Sequence, residues 1–239
     1  TMTHTAGAST ATLAGTPANG DVGSHSVTVT VADAAGASDT ETFTIVVANT
    51  NDAPTISSTA VTSATEDAAY SYTTTASDVD SGDVVTLACT TVPSWLTCTA
   101  GALSGTPTND EVGSHSVVIT ASDVAGATAT DTFTITVANT NDAPTITSTA
   151  VTSATEDAAY SYTTTASDVD SGDVVTLACT TVPSWLTCTA GALSGTPADA
   201  NVGSHSVVIT ASDVAGAAAT DSFTITVANT NDAPAISST

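Results

Sequence analysis

The string Asn-Thr-Asn-Asp-Ala-Pro occurs three times in this chain, at Asn49–Pro54, Asn139–Pro144 and Asn229–Pro234, each copy 90 residues after the one before. A fixed period of that length makes the chain a tandem array, so each repeat must bury a small core of its own. Each string joins two runs of alternating apolar residues. Its amides and carboxylate offer hard oxygen donors, and its proline fixes φ and gives up an N–H. Such a composition suits a linker held by an ion better than a free tether. The 239 residues accommodate two complete repeats and fragments.

Charge narrows the partners. The chain has no Lys or Arg and 24 Asp plus Glu, a formal charge of −24. That excludes nucleic acid, which is bound through basic side chains on phosphate, and anionic membrane surfaces. No apolar run is long enough to insert in a bilayer. The natural partner of so many carboxylates is a divalent cation. A general high-salt surface is the alternative, but the acids fall in short clusters between strand-like runs: Glu66-Asp67, Asp78/Asp80/Asp83, Asp110-Glu111. Four cysteines form two pairs at one spacing, Cys89/Cys98 and Cys179/Cys188. Two per repeat with no nearby His are too few for zinc. They read as one disulfide per repeat and an oxidising compartment, or else as two buried free thiols.

Within each repeat the apolar period is two, which means strands. Tyr70, Tyr72 and Thr74 share a face, as do Val85, Leu87 and Cys89; Val117, Ile119 and Ala121; and Phe133, Ile135 and Val137, with Thr132, Thr134 and Thr136 toward water. Short Thr- and Val-rich strands punctuated by Gly, Pro, Asp and Ser predict an all-β fold of tandem Greek-key β-sandwiches of about seven strands each. The expected division is 1–50, the C-terminal part of a module; 51–140 and 141–230, complete modules; and 231–239, the first strand of another. The copies are identical over Ala60–Pro107 and Ala150–Pro197. The front strands missing before residue 1 come from the same polypeptide in a longer continuous array, or from another subunit by β-augmentation. The strand edges carry no lysine to repel a neighbour, which adds self-association into filaments to the expectations.

The order E-D-x-x-Y-x-Y, A-S-D-x-D-x-x-D, P-S-W-L, G-x-L-x-G-T-P, V-G-x-H-x-V-x-I-x-A-S-D, F-x-I-x-V-x-N-x-N-D-A-P resembles the dystroglycan-type cadherin-like modules, also described as bacterial cadherin-like or Ig-type repeats, of large surface and adhesin-like proteins. The resemblance covers essentially the whole chain and implies Ca2+ bound at each junction. Carried over, the central junction would use Glu66 from the upstream module, Asn139, Asn141 and Asp142 from the linker, and Asp168, Asp170 and Asp213 from the downstream module. The preceding junction would use Asn49, Asn51, Asp52, Asp78, Asp80 and Asp123. The last would use Glu156, Asn229, Asn231 and Asp232. Strand alternation independently sends the Asp78–Asp83 loop and the turn after Asp123 to the pole facing the incoming linker, with Glu66 near the opposite pole. The alternative for these Asx residues is the capping of turns. The mid-module acidic motif of cadherins is missing, with Asp110-Glu111 and Asp199 as poor substitutes, which implies fewer ions per junction.

His25, His115 and His205 stand beside serines in V-G-S-H-S-V, but no G-x-S-x-G elbow accompanies them. Their parity with Val117 and Ile119 places them at the core's edge, and no enzyme is expected. Trp95 and Trp185 read as core residues; the alternative is sugar stacking. The resemblance thus implies an extracellular or cell-surface fibre, stalk or adhesin shaft. A calcium-dependent carbohydrate-binding module, with a glycan or other cell-surface partner, is the competing expectation.

Overall fold

A computed structural model describes residues 1–5, 7–234 and 236. The chain separates into two compact units. One comprises Thr1–Ala64, Ala69–Thr106 and Gly113–Thr136; the other comprises Thr65–Ala68, Pro107–Val112 and Val137–Thr239. The expected first strand at 231–239 lies partly outside the described residues, which leave out 235 and 237–239.

In the second unit the alternation after the linker becomes a sandwich. One sheet orders the strands Ser153–Thr155, Ala218–Ala228, Gly203–Ser212 and Thr176–Thr181. The facing sheet orders Tyr160–Thr163, Ala192–Gly195 and Leu186–Thr189, and a two-residue pair joins Thr145–Ile146 to Ala166–Ser167. The two-residue segments bring the total above the seven strands that periodicity predicts. Most ladders are antiparallel, but Ser153–Thr155 runs parallel to the final strand, with Ser153 opposite Thr226 and Thr155 opposite Ala228. Tyr160, Tyr162, Leu186 and Leu193 from one sheet meet Val207, Ile209 and Ile225 from the other. Thr and Ser face water on alternate positions, as a half-buried pleat requires.

The first unit repeats this core with Tyr70, Tyr72, Leu96, Leu103, Val117, Ile119 and Ile135. It also holds the antiparallel ribbon of Gly23–Ala32 and Ser38–Val47. There the inward residue Ile45 is 39% exposed, while its counterparts Ile135 and Ile225 are fully buried. The ribbon is therefore one face of a sandwich whose second face is incomplete among the described residues.

Two devices lock each complete module. Disulfides join Cys89 to Cys98 and Cys179 to Cys188, with Cα atoms 6.3 Å apart and a sequence separation of 9. Each bridges the two sheets, and closing so short a loop contributes about 2–3 kcal/mol. The hairpins Leu96–Thr99/Ala102–Gly105 and Leu186–Thr189/Ala192–Gly195 turn through two residues of positive φ, Ala100 (48°) and Gly101 (77°), and Ala190 (47°) and Gly191 (77°). That turn favours Asn-Gly, and alanine is strained at its first position. Gly195 is fixed differently: a Cβ there would overlap the Trp185 carbonyl oxygen. Ala190→Asn is expected to stabilise the third module by about 0.5–1 kcal/mol. Gly195→Ala should destabilise it by about 2 kcal/mol or more. Urea unfolding at fixed calcium reads both.

Candidate metal centre

The central site lies wholly within the second unit. Its scaffold is two loops built by their own aspartates. In Asp168–Asp173 the Asp170 N–H donates to Asp168 Oδ1 at 3.0 Å, and the Asp173 N–H to the Asp170 carbonyl at 3.2 Å. Gly172 supplies the positive φ that closes this turn. In the second loop Asp213 Oδ1 accepts the N–H groups of Gly216 at 2.6 Å and Ala217 at 2.9 Å. The linker then docks on what remains. The Asp142 N–H donates to Asp170 Oδ2 at 2.8 Å, and Asn141 Nδ2 to Asp213 Oδ2 at 2.7 Å. From the preceding module Glu66 Oε1 accepts the Thr140 N–H, and Asn109 Nδ2 donates to Asp142 Oδ2 at 2.9 Å.

Asp213 is satisfied at both oxygens, but Glu66 and Asp170 are half satisfied, each leaving one oxygen over. Glu66 Oε2, Asp168 Oδ2, Asp170 Oδ1 and Asn109 Oδ1 are buried and accept no hydrogen bond. Glu66 is 2% exposed and Asp170 6%. The carboxylates gather in two groups: Glu66, Asp142 and Asp170 each place an oxygen within 4.8 Å of the others, and so do Asp168, Asp173 and Asp213. A desolvated carboxylate needs a partner of opposite charge, and the sequence offers no Lys or Arg. An all-oxygen set on mobile carboxylates fits a hard cation such as Ca2+ and lacks the soft ligands of transition metals.

The first unit carries the equivalent first site. Asn51 Nδ2 donates to Asp123 Oδ2 at 2.8 Å, the Asp52 N–H to Asp80 Oδ2 at 2.7 Å, and Asn19 Nδ2 to Asp52 Oδ2 at 2.6 Å. Asp78, Asp83 and Asp123 converge, and Asp78 Oδ2 and Asp80 Oδ1 are left over. At the third linker Glu156 accepts the Thr230 N–H and converges with Asp199 and Asp232. Asn231 there donates to the Asp232 carbonyl at 3.3 Å.

Several expected ligands take other positions. Asn51 and Asn141 turn amide donors, not oxygens, toward Asp123 and Asp213. Asn139 and Asn229 donate to the carbonyls of the residues that follow them, and Asn49, like them, is exposed. Three carboxylates absent from the expected set join the clusters: Asp83, Asp173 and Asp199. The third acid of the D-x-D-x-x-D spacing signalled the first two. Asp199, discounted from sequence, belongs to the linker-facing position shared with Asn19 and Asn109.

The hydrogen bonds and charges act in opposite directions. The Asn141 amide, with the Gly216 and Ala217 N–H groups, holds the Asp213 carboxyl below the usual range, and Asn51 leads the same effect at Asp123. Burial, then repulsion from Asp168, Asp170 and Asp213, pushes Asp173 up; Asp83 behaves alike. A raised carboxyl binds its proton more readily folded than unfolded. Without a cation its contribution to stability therefore grows as pH falls through the raised range and is lost above it.

Trp95 sits edge-on between Tyr70 at 5.7 Å and His115 at 5.9 Å, and Trp185 between Tyr160 at 5.8 Å and His205 at 5.9 Å. Both pack against the core, so a carbohydrate site loses its aromatic platform. His205 Nε2 is hydrogen-bonded to the Asn201 carbonyl at 2.6 Å, a role that stitches a strand end to its preceding turn.

Sandwich modules in series, each with linker-docked carboxylates at its entrance, define a tandem array of Ig- and cadherin-like domains. The chain belongs to the "Putative Ig domain" family, whose model matches residues 5–48, 53–138 and 143–228. Among solved structures it is similar to protocadherin gamma B3 EC1–4, at 19% identity over 92% of this chain and 61% of that one, with a TM-score of 0.58. The protocadherin gamma B7 EC3–6 cis-dimer structure follows at 18% identity, 87% and 59% coverage, and 0.54. These likenesses establish the fold. An endo-fucoidan hydrolase of glycoside hydrolase family 107 matches at 27% identity over 97% of this chain, 37% of its own length and a TM-score of 0.37. The chain thus spans less than two thirds of each of these structures. No curated protein matches the sequence.

Removing one charge separates the two states of the site. In chelator, Asp173→Asn is expected to raise the melting temperature by about 2–4 °C, because it relieves like-charge repulsion. With millimolar calcium the same substitution should lower it. Differential scanning calorimetry in both buffers checks the reversal.

Proposed function

We propose that this chain is a segment of an extracellular, calcium-rigidified fibre, stalk or adhesin shaft, with modules at 51–140 and 141–230 following a partial one. The observation that carries the reading is the set of buried, unpartnered oxygens at the central linker, Glu66 Oε2, Asp168 Oδ2 and Asp170 Oδ1. Three carboxylates from two modules meet at a linker that contributes its own aspartate, so a bound Ca2+ would turn mutual repulsion into a clamp. Glu66, Asp142 and Asp170 would hold one ion, and Asp168, Asp173 and Asp213 a second.

The two disulfides agree with an oxidising, extracellular location. Among the described residues no helix is long and apolar enough to cross a membrane. Identical modules in series build length, and they repeat any surface they present. The role assigned to the segment is therefore mechanical and not catalytic, with self-association of its lysine-free edges as the route to thicker filaments.

Small-angle scattering with and without chelator tests the clamp. Chelation should leave each sandwich folded and shorten the maximum dimension as the linkers bend. Asp168→Ala combined with Asp170→Ala should reproduce part of that change in calcium. A scattering profile and melting curve that ignore both chelator and substitution would overturn the reading.

A further inference from the structure

The complete modules are nearly copies of one another, so their differences are informative. Residues 53–142 and 143–232 differ at 57/147, 108–111/198–201, 128/218 and 132/222. The one contiguous change is the short 3-10 turn, Asn109–Glu111 in the second module and Asp199–Asn201 in the third. Its backbone is preserved: Val112 N–H donates to the Asn109 carbonyl at 3.3 Å, and Val202 N–H to the Asp199 carbonyl at 3.2 Å.

What changes is the side-chain chemistry. In the second module Glu111 accepts the Thr108 N–H at 2.8 Å, and neutral Asn109 donates to Asp142. In the third module Asn201 takes over the first of these bonds, accepting the Ala198 N–H at 3.0 Å. The carboxylate has moved to Asp199, where it converges with Asp232 and with Glu156. Glu156 is 2% exposed, and its Oε2 has no hydrogen-bond donor. At the first linker Asn19 donates to Asp52 just as Asn109 does to Asp142.

We propose that the residue at 19, 109 and 199 sets how far each linker depends on its cation. An asparagine amide can donate to the linker aspartate whether or not a cation is bound, so the first two linkers are latched by a hydrogen bond. An aspartate has no proton to donate at neutral pH and repels Asp232. The third linker docks only when a divalent cation is shared by Glu156, Asp199 and Asp232. This rests on the calcium reading above and adds a gradation along the array: two linkers that keep one hydrogen bond when calcium is withdrawn and so loosen less, and one that depends on it fully.

The test follows amide hydrogen exchange at Thr140 and Thr230, whose N–H groups donate to Glu66 and Glu156, in the full chain with chelator and with calcium. Each substitution is compared with its own parent linker. In chelator, Asn109→Asp should speed exchange at Thr140 about tenfold, and calcium should restore protection. Asn109→Ala, which removes the donor without adding charge, should have a smaller effect. Asp199→Asn should slow exchange at Thr230 in chelator and weaken calcium binding there about tenfold. Unchanged exchange in chelator for both Asn109→Asp and Asp199→Asn would overturn the latch. A wild-type chain whose Thr140 and Thr230 amides ignore calcium would overturn the calcium reading, whatever the variants do in chelator.

Discussion

Repulsion among carboxylates that cannot reach solvent is the constraint on which the junctions depend. No Lys or Arg exists to neutralise them, so the chain uses the weaker dipoles it has. Backbone N–H groups and Asn amides each take one oxygen of Glu66, Asp142, Asp170 and Asp213. Hydrogen bonds to a charged acceptor are worth more than neutral ones. They still leave the second oxygen of most pairs facing others of its kind. The sandwiches themselves are independent of this problem, since their cores are apolar and locked by a disulfide. Folding and docking are therefore separate events in one chain, the first driven by burial and the second, in the function proposed above, by ions.

This separation explains how the acids are distributed. Acids that faced one another within a sandwich would cost stability at all times. Concentrated at linkers, they cost it only when a junction must form, a cost that the proposed bound cation would remove. The turn at 108–111 and 198–201 is where such an array can vary without touching a core. Placing a carboxylate at the first position of that turn, as Asp199 does, changes the linker and leaves the turn's backbone alone.

Much of this was legible in the residues, for identifiable reasons. Alternation at Val117, Ile119 and Ala121 reports a strand because the pleat makes burial a property of position alone. The D-x-D spacing reports a loop of converging carboxylates because an Asx turn is a local structure. The roles of Asn51 and Asn141 were not legible: an amide is donor or acceptor according to what faces it, and Asp123 and Asp213 lie 72 residues away. Asp199 escaped for the same reason, since its partners Glu156 and Asp232 are brought to it only by the finished sandwich. The two-residue strand pairs escaped because segments that short carry no period.

The parallel pairing of Ser153–Thr155 with Thr226–Ala228 has a mechanical consequence. The chain passes through Ser153–Thr155 soon after entering the third module, following the short Thr145–Ile146 segment, and leaves along Ala218–Ala228, and the two strands point the same way. Tension applied at the two ends of the module pulls the strands past each other along their length. Their hydrogen bonds, such as Thr226 N–H to the Thr152 carbonyl at 2.9 Å and Glu156 N–H to the Ala228 carbonyl at 3.1 Å, are then loaded sideways and together. They cannot open one at a time as in a peeled hairpin. A module wired in this way resists stretching through its entry and exit strands, and Glu156 sits at the end of that shear clamp, where its backbone bears load while its side chain holds the linker.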